Sequence, residues 1–171
     1  STDVAEVGFV GRTLLNAFNA LEYGFQQNRP ELVNSANSIF DTYLSNGFSP
    51  AGFFNEVVHY NRDFKESNLS IRRQSEGVYA IQYKRKHPEW ENRLKVILDS
   101  FLRLQNADGS FPRKFKDDFS IVDGTGGSTP SATLPLVMAY KYFKDKRYLE
   151  SAKRTVNYLE NELISKSDYF S

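Results

Sequence analysis

A repeat of 58 residues runs through the chain. Pro30-Glu31 and Pro88-Glu89 stand one period apart, and Leu32, Trp90 and Tyr148 mark three successive copies of one position. The same step links Ala36, Leu94 and Ala152, then Phe40, Leu98 and Val156, then Tyr43, Phe101 and Leu159. Every set is apolar or small. Within a copy the members lie three or four residues apart, so they share one face of a helix. A period of this length marks one supersecondary unit that buries its apolar face against its neighbours. The fold class expected is therefore all-α, three helical hairpins in tandem.

Local signals place the hairpins at about 3–46, 70–104 and 129–164. A first helix is expected from Asp3 to Gln27, with Asp3 and Glu6 spaced as in a capping box. Asn28-Arg29-Pro30 breaks it, and Pro30 suits the first turn of a second helix that stops at Asn46-Gly47. Ser70 is placed to cap a third helix through Tyr83, and a fourth runs from Pro88 to about Leu104. Thr129-Pro130 starts a fifth helix towards Phe143, with a kink or a later start expected at Pro135. A sixth follows from Arg147 to about Ile164. Ser49 to Asn68 reads as an extended or irregular segment. Ser167-Asp168-Tyr169 lies one period after Gly109-Ser110-Phe111, and no polar capping helix is apparent. The array is thus expected to continue in further hairpins of the same protein or to be covered by another subunit.

Composition narrows the function classes. A net charge of +1, from 22 basic and 21 acidic residues, gives no electrostatic case for nucleic acid or an anionic membrane surface. No apolar run approaches the ~20 residues a membrane helix needs. Cysteine is absent, which excludes thiolate catalysis and cysteine-based zinc sites and fits an exported bacterial protein, extracellular or periplasmic. With only His59 and His87 available, no metal site is expected. The glycine run Gly124–Gly127 departs from the dinucleotide pattern and lacks the lysine of a phosphate loop, so no cofactor is expected.

The connection from Gln105 to Thr129 is about twice the ordinary length, and ordered loops of that size are usually functional. Its start, Leu104-Gln105-Asn106-Ala107-Asp108-Gly109-Ser110-Phe111, set between helical hairpins, resembles the α/α toroids. Within that superfamily the chain looks most similar to the six-hairpin glycosidase-like proteins, which include bacterial glycoside hydrolases and some polysaccharide lyases. The Gln-x-x-x-Gly-x-Phe spacing also resembles the repeat motif of terpenoid cyclases, with Phe111 in place of the usual Trp. The Asp-rich ionisation motif of that class is missing. Three hairpins would make about half of a six-hairpin ring. The resemblance implies that the first helix of each pair lines the inside, and that the cleft is built from the loops preceding inner helices, Ser49–Ser70 and Gln105–Thr129.

On this resemblance the expected function is a carbohydrate-active enzyme, a glycoside hydrolase acting on a poly- or oligosaccharide. A non-catalytic glycan-binding or scaffold module is the alternative. Glycoside cleavage needs two carboxyl groups, and the candidates are Asp117, Asp118, Asp123 and Glu76. Each has a structural reading beside it: a solvated Lys-Asp-Asp turn, the start of a glycine turn, and favourable charge near a helix start. Neighbouring side chains of an extended strand point to opposite faces, so only one of Asp117 and Asp118 would enter a cleft. Phe111, Phe115 and Phe119 are candidate sugar platforms, and Arg113 is a candidate contact to acidic sugars. Glu56 and His59 complete the substrate-facing set from the other rim segment.

Overall fold

The computed structural model describes residues 10–56, 68–83 and 88–166, together with short strands at 4–5 and 58–59. In chain order the elements are β1 (Val4–Ala5), α1 (Val10–Gln26), α2 (Pro30–Asn46), β2 (Val58–His59), β3 (Leu69–Ser70), α3 (Ile71–Tyr83), α4 (Pro88–Leu104), β4 (Lys114–Phe115), β5 (Ile121–Asp123), α5 (Pro130–Phe143) and α6 (Lys146–Tyr158). A 3₁₀ turn, Gly126–Ser128, leads into α5, and a π-helical stretch, Leu159–Ile164, extends α6. Among the described residues, three helical hairpins stand in tandem. α1 packs on both α2 and α3, α3 on α5, and α5 on α6. The first helices of the three pairs thus form one row and the second helices another.

The repeat explains this packing. Phe40 and Trp90 are both buried and meet edge to face at 6.3 Å between ring centroids, so one outer helix covers the next. Phe53 and Phe111 stand one period apart and are fully buried, so the connections repeat as well as the helices. The third copy departs at its end. Val156 is 39% exposed where Phe40 and Leu98 are sealed. Among the described residues α6 is the last outer helix, and no following helix covers it.

Several boundaries differ from the sequence reading. α1 begins at Val10, not Asp3, and Val4–Ala5 pairs with Val58–His59 as a two-stranded ribbon. The expected cap, Asp3 and Glu6, lies outside the described residues. α5 starts at Pro130, earlier than a start delayed to Pro135, and includes Pro135. At the sixth helical residue the missing N–H frees only the carbonyl of Ser131. Pro135's own carbonyl accepts the Gln82 amide at 2.9 Å. The long connection is not a plain loop, because β4 and β5 fold back on each other and onto β3.

Gln105 fixes that connection to α6. Its amide nitrogen reaches the carbonyls of Gly109 and Ser151, both at 3.0 Å, and Thr155 Oγ1 at 3.1 Å. Its oxygen accepts from Ser151 Oγ and from the Arg154 guanidinium. Gly109, at φ +92°, lies so close that a Cβ would sit 2.2 Å from the Arg154 carbonyl oxygen. A side chain there meets both left-handed strain and backbone overlap. Gly109→Ala should therefore destabilise the fold by about 2–4 kcal/mol in chemical denaturation. A change below about 1 kcal/mol would show that the connection is not held by this contact.

Candidate functional site

The site is organised at the N-terminal end of α3. Ser70 closes β3 and caps the helix, accepting the Arg73 N–H on its hydroxyl at 3.4 Å. Behind it lies Glu56, only 5% exposed, which ends the preceding rim segment. One carboxylate oxygen accepts the Ser70 N–H at 2.6 Å and the Gln74 amide at 3.2 Å; the other accepts the Arg73 guanidinium at 3.1 Å. Gln74, itself buried, also makes a two-way amide contact with the backbone of Phe54, both bonds 2.8 Å. A carboxylate taken out of water costs several kcal/mol, and a backbone donor, an amide and a guanidinium here offset that cost. Burial still prevails and pushes the Glu56 carboxyl above its ordinary range, against the lowering effect of Ser70, Gln74 and Arg73.

The three-stranded sheet brings further groups to the same place. Ser70 pairs with Lys114, and Lys114 with Asp123, so the three stand in one row across the sheet. A bulge between Lys114 and Phe115 leaves Ile121 exposed although its partner Phe115 is buried. The neighbouring row, Leu69 and Phe115, is buried in the core. Asp123 accepts from the Thr125 hydroxyl at 2.6 Å and its N–H at 3.0 Å, and faces the Arg113 guanidinium at 3.5 Å. The Thr125 hydroxyl above all, then its N–H and the charges of Arg113 and Lys114, hold the Asp123 carboxyl below the usual range. Glu76 stands in the second turn of α3, paired with Arg72 at 3.0 Å. Its position is set by α1, because a Cβ on Gly11 would fall 2.2 Å from the Glu76 Cβ. Two charged pairs thus stand on the rim: Arg72 with the partly exposed Glu76 on α3, and Arg113 with the partly exposed Asp123 on the sheet, where Lys114 is its cross-strand partner.

The remaining candidates lie elsewhere. Asp117 ties the two rim segments together: its carboxylate accepts the Ser49 hydroxyl on one oxygen and the Ala51 N–H at 3.1 Å on the other. Asp118 sits at the exposed tip of the β4–β5 hairpin, folded back on Ser120, whose hydroxyl and N–H lower its pKa. Phe119, beside it, is half-buried against Phe53 and Arg103. Phe111 and Phe115 are fully buried, packed on Phe101 and Phe53, so neither offers a ring face to a ligand. His59 belongs to β2, opposite Val4. The sequence reading expected Glu56 to face substrate; the structure buries it beneath the helix cap. Gln74, which that reading passed over, had a usable signal. It is a polar residue at a position that helical spacing from Ile71 and Val78 assigns to the core.

No protein-family model matches the sequence. Among solved structures, the chain is similar to a sugar epimerase from a ruminal bacterium, with TM-score 0.76 and 12% identity over 94% of this chain and 43% of that one. It is also similar to cellobiose 2-epimerase from Bacillus thermoamylovorans B4167, with TM-score 0.73 and 15% identity over 86% and 40%. Unsaturated glucuronyl hydrolase from Bacillus sp. GL1 gives TM-score 0.64 and 14% identity over 84% and 43%. The chain spans about two fifths of the length of the structures it matches. At these identities the likeness is one of fold: three hairpins of the six-hairpin α/α toroid.

The raised pKa of Glu56 gives a signed expectation. In the folded state this carboxyl binds its proton more tightly than in the unfolded chain, so its contribution to stability is lost as pH rises from about its ordinary value of 4.5 through the folded pKa. Glu56→Gln, which cannot ionise, should therefore gain stability relative to the parent protein as pH rises from 4 to 7. Denaturation of both proteins across that range checks it; a constant difference would show that folding does not raise the Glu56 pKa.

Proposed function

We propose that this chain forms part of a carbohydrate-active enzyme, a glycoside hydrolase acting on a poly- or oligosaccharide, whose cleft lies at the N-terminal end of α3. The observation that carries this reading is that two partly exposed carboxylates, Glu76 on α3 and Asp123 on the adjoining sheet, each stand beside an arginine on the rim. Asp123, held ionised by its neighbours, suits the base or nucleophile. Glu76 is the second carboxyl that glycoside cleavage needs. Arg113 and Lys114 are placed to meet acidic groups on a sugar. Glu56 acts as a positioning residue, holding Arg73 and the helix cap. The rest of the ring wall comes from further hairpins of the same protein or from another subunit, and the work is done outside the cytoplasm of a bacterium.

A second reading follows from the epimerases among the similar folds: the same groups could move a proton on a sugar without cleaving a glycosidic bond. Product analysis on a panel of neutral and acidic oligosaccharides separates the two. New reducing ends mark hydrolysis, and an inverted stereocentre at unchanged chain length marks epimerisation. Asp123→Asn and Glu76→Gln, assayed in the native assembly, should each lower hydrolysis about 100-fold or more. Rates unchanged in both variants would remove these residues from the chemistry. Binding of a glycan without any product would make the rim a glycan-binding module.

A further inference from the structure

The tip of the β4–β5 hairpin leans over the C-terminal turn of α4, and neither Asp123 nor Glu76 lines the space between the two. That space is a groove of about 470 Å³ whose wall includes Arg103, Asn106, Asp118, Phe119 and Ile121. Its construction is unusual at Phe119. The turn closes with Phe119 N–H on the Lys116 carbonyl and Lys116 N–H on the Ser120 carbonyl, both 2.9 Å. That is a turn ending in one left-handed residue, and Phe119 occupies it at φ +70°. Glycine or asparagine is the ordinary choice there, and a bulky residue in this region carries strain.

The ring that this strained backbone presents is used. Arg103 lies flat over it at 3.8 Å, and Phe53 meets its other side at 5.4 Å. Arg103 makes no hydrogen bond or ion pair among the described residues, and it lines the groove. Ile121, 53% exposed, adds a flat apolar surface alongside. Asp118 uses one carboxylate oxygen on Ser120, and the other carries no bond. Asn106 uses its amide nitrogen on Ser110, which leaves its oxygen to accept.

We infer that this groove is a second glycan-binding site, outside the cleft, for a neutral sugar unit of the polymer. A pyranose ring has a flat C–H face and a rim of hydroxyls. The exposed Ile121 side chain matches the face, with Phe119 serving to hold Arg103; Arg103 donors with Asp118 and Asn106 acceptors match the hydroxyls. Among the lining residues Arg103 and Asp118 carry opposite charges, so the wall itself has no net charge. The inference rests on the reading that the protein handles carbohydrate, and it adds a site that holds the chain without cutting it.

Amide-resolved NMR titration with cellotetraose, xylotetraose, mannotetraose and maltotetraose at millimolar concentration tests it. At least one of them should shift the Arg103, Asn106 and Ile121 resonances. Arg103→Ala and Ile121→Ser, both at exposed positions, should each weaken that binding about tenfold, while Asp123→Asn leaves it unchanged. The inference is overturned if none of the four sugars moves these resonances, or if binding survives both substitutions. Sugar release with no shift in the groove would sink the second site and keep the hydrolase reading. Groove shifts without any product would do the reverse.

Discussion

A buried carboxylate has to be surrounded by donors, and the surroundings of Glu56 set the geometry of everything above it. Its oxygens hold the N–H of Ser70, the amide of Gln74 and the guanidinium of Arg73, so a rim segment, a strand and the first turn of α3 are joined through one side chain. Gln74 extends the junction to the backbone of Phe54. Because Ser70 is also a strand residue, the same junction fixes the register of β3 on β4, and through β4 the place of Asp123. The partly exposed acids and bases at this end of the helix are thus mounted on a polar core that is itself almost dry.

How much of this could be read from the sequence depends on whether the cause is periodic. The helices were legible because burial on one face of a helix imposes its spacing on the residues, and the 58-residue step made three copies of that spacing comparable. Pro30, Pro88 and Pro130 marked the helix starts closely, since a residue without an N–H is well tolerated only in the first turn. The strands were not legible. β3 and β4 are two residues long and β5 three, too short for alternation to show, and they exist because the connections they belong to pack against each other.

The site was legible as a region and less so in its members. Placing function on the segments before α3 and α5 followed from the order of helices in a hairpin array. Deciding which acidic residues face outward did not, because Asp117, Asp118 and Asp123 lie within seven residues and share one composition. Only the folded hairpin shows that Asp117 is turned under to bind Ser49 and Ala51, Asp118 is carried to the tip, and Asp123 is set beside Arg113. Phe111 and Phe115 illustrate the same limit: aromatic residues in a long connection read as platforms, yet the connection has a core of its own to fill.

The link through Asp117 bears on how such a rim changes over generations. Two connections that begin 58 residues apart share one carboxylate, so neither can lengthen, shorten or tilt without disturbing its partner. Variation in one is constrained by the other, and new specificities would arise through paired changes in both. The hairpin tip is bound in the same way, since Phe119 packs against Phe53 of the other connection.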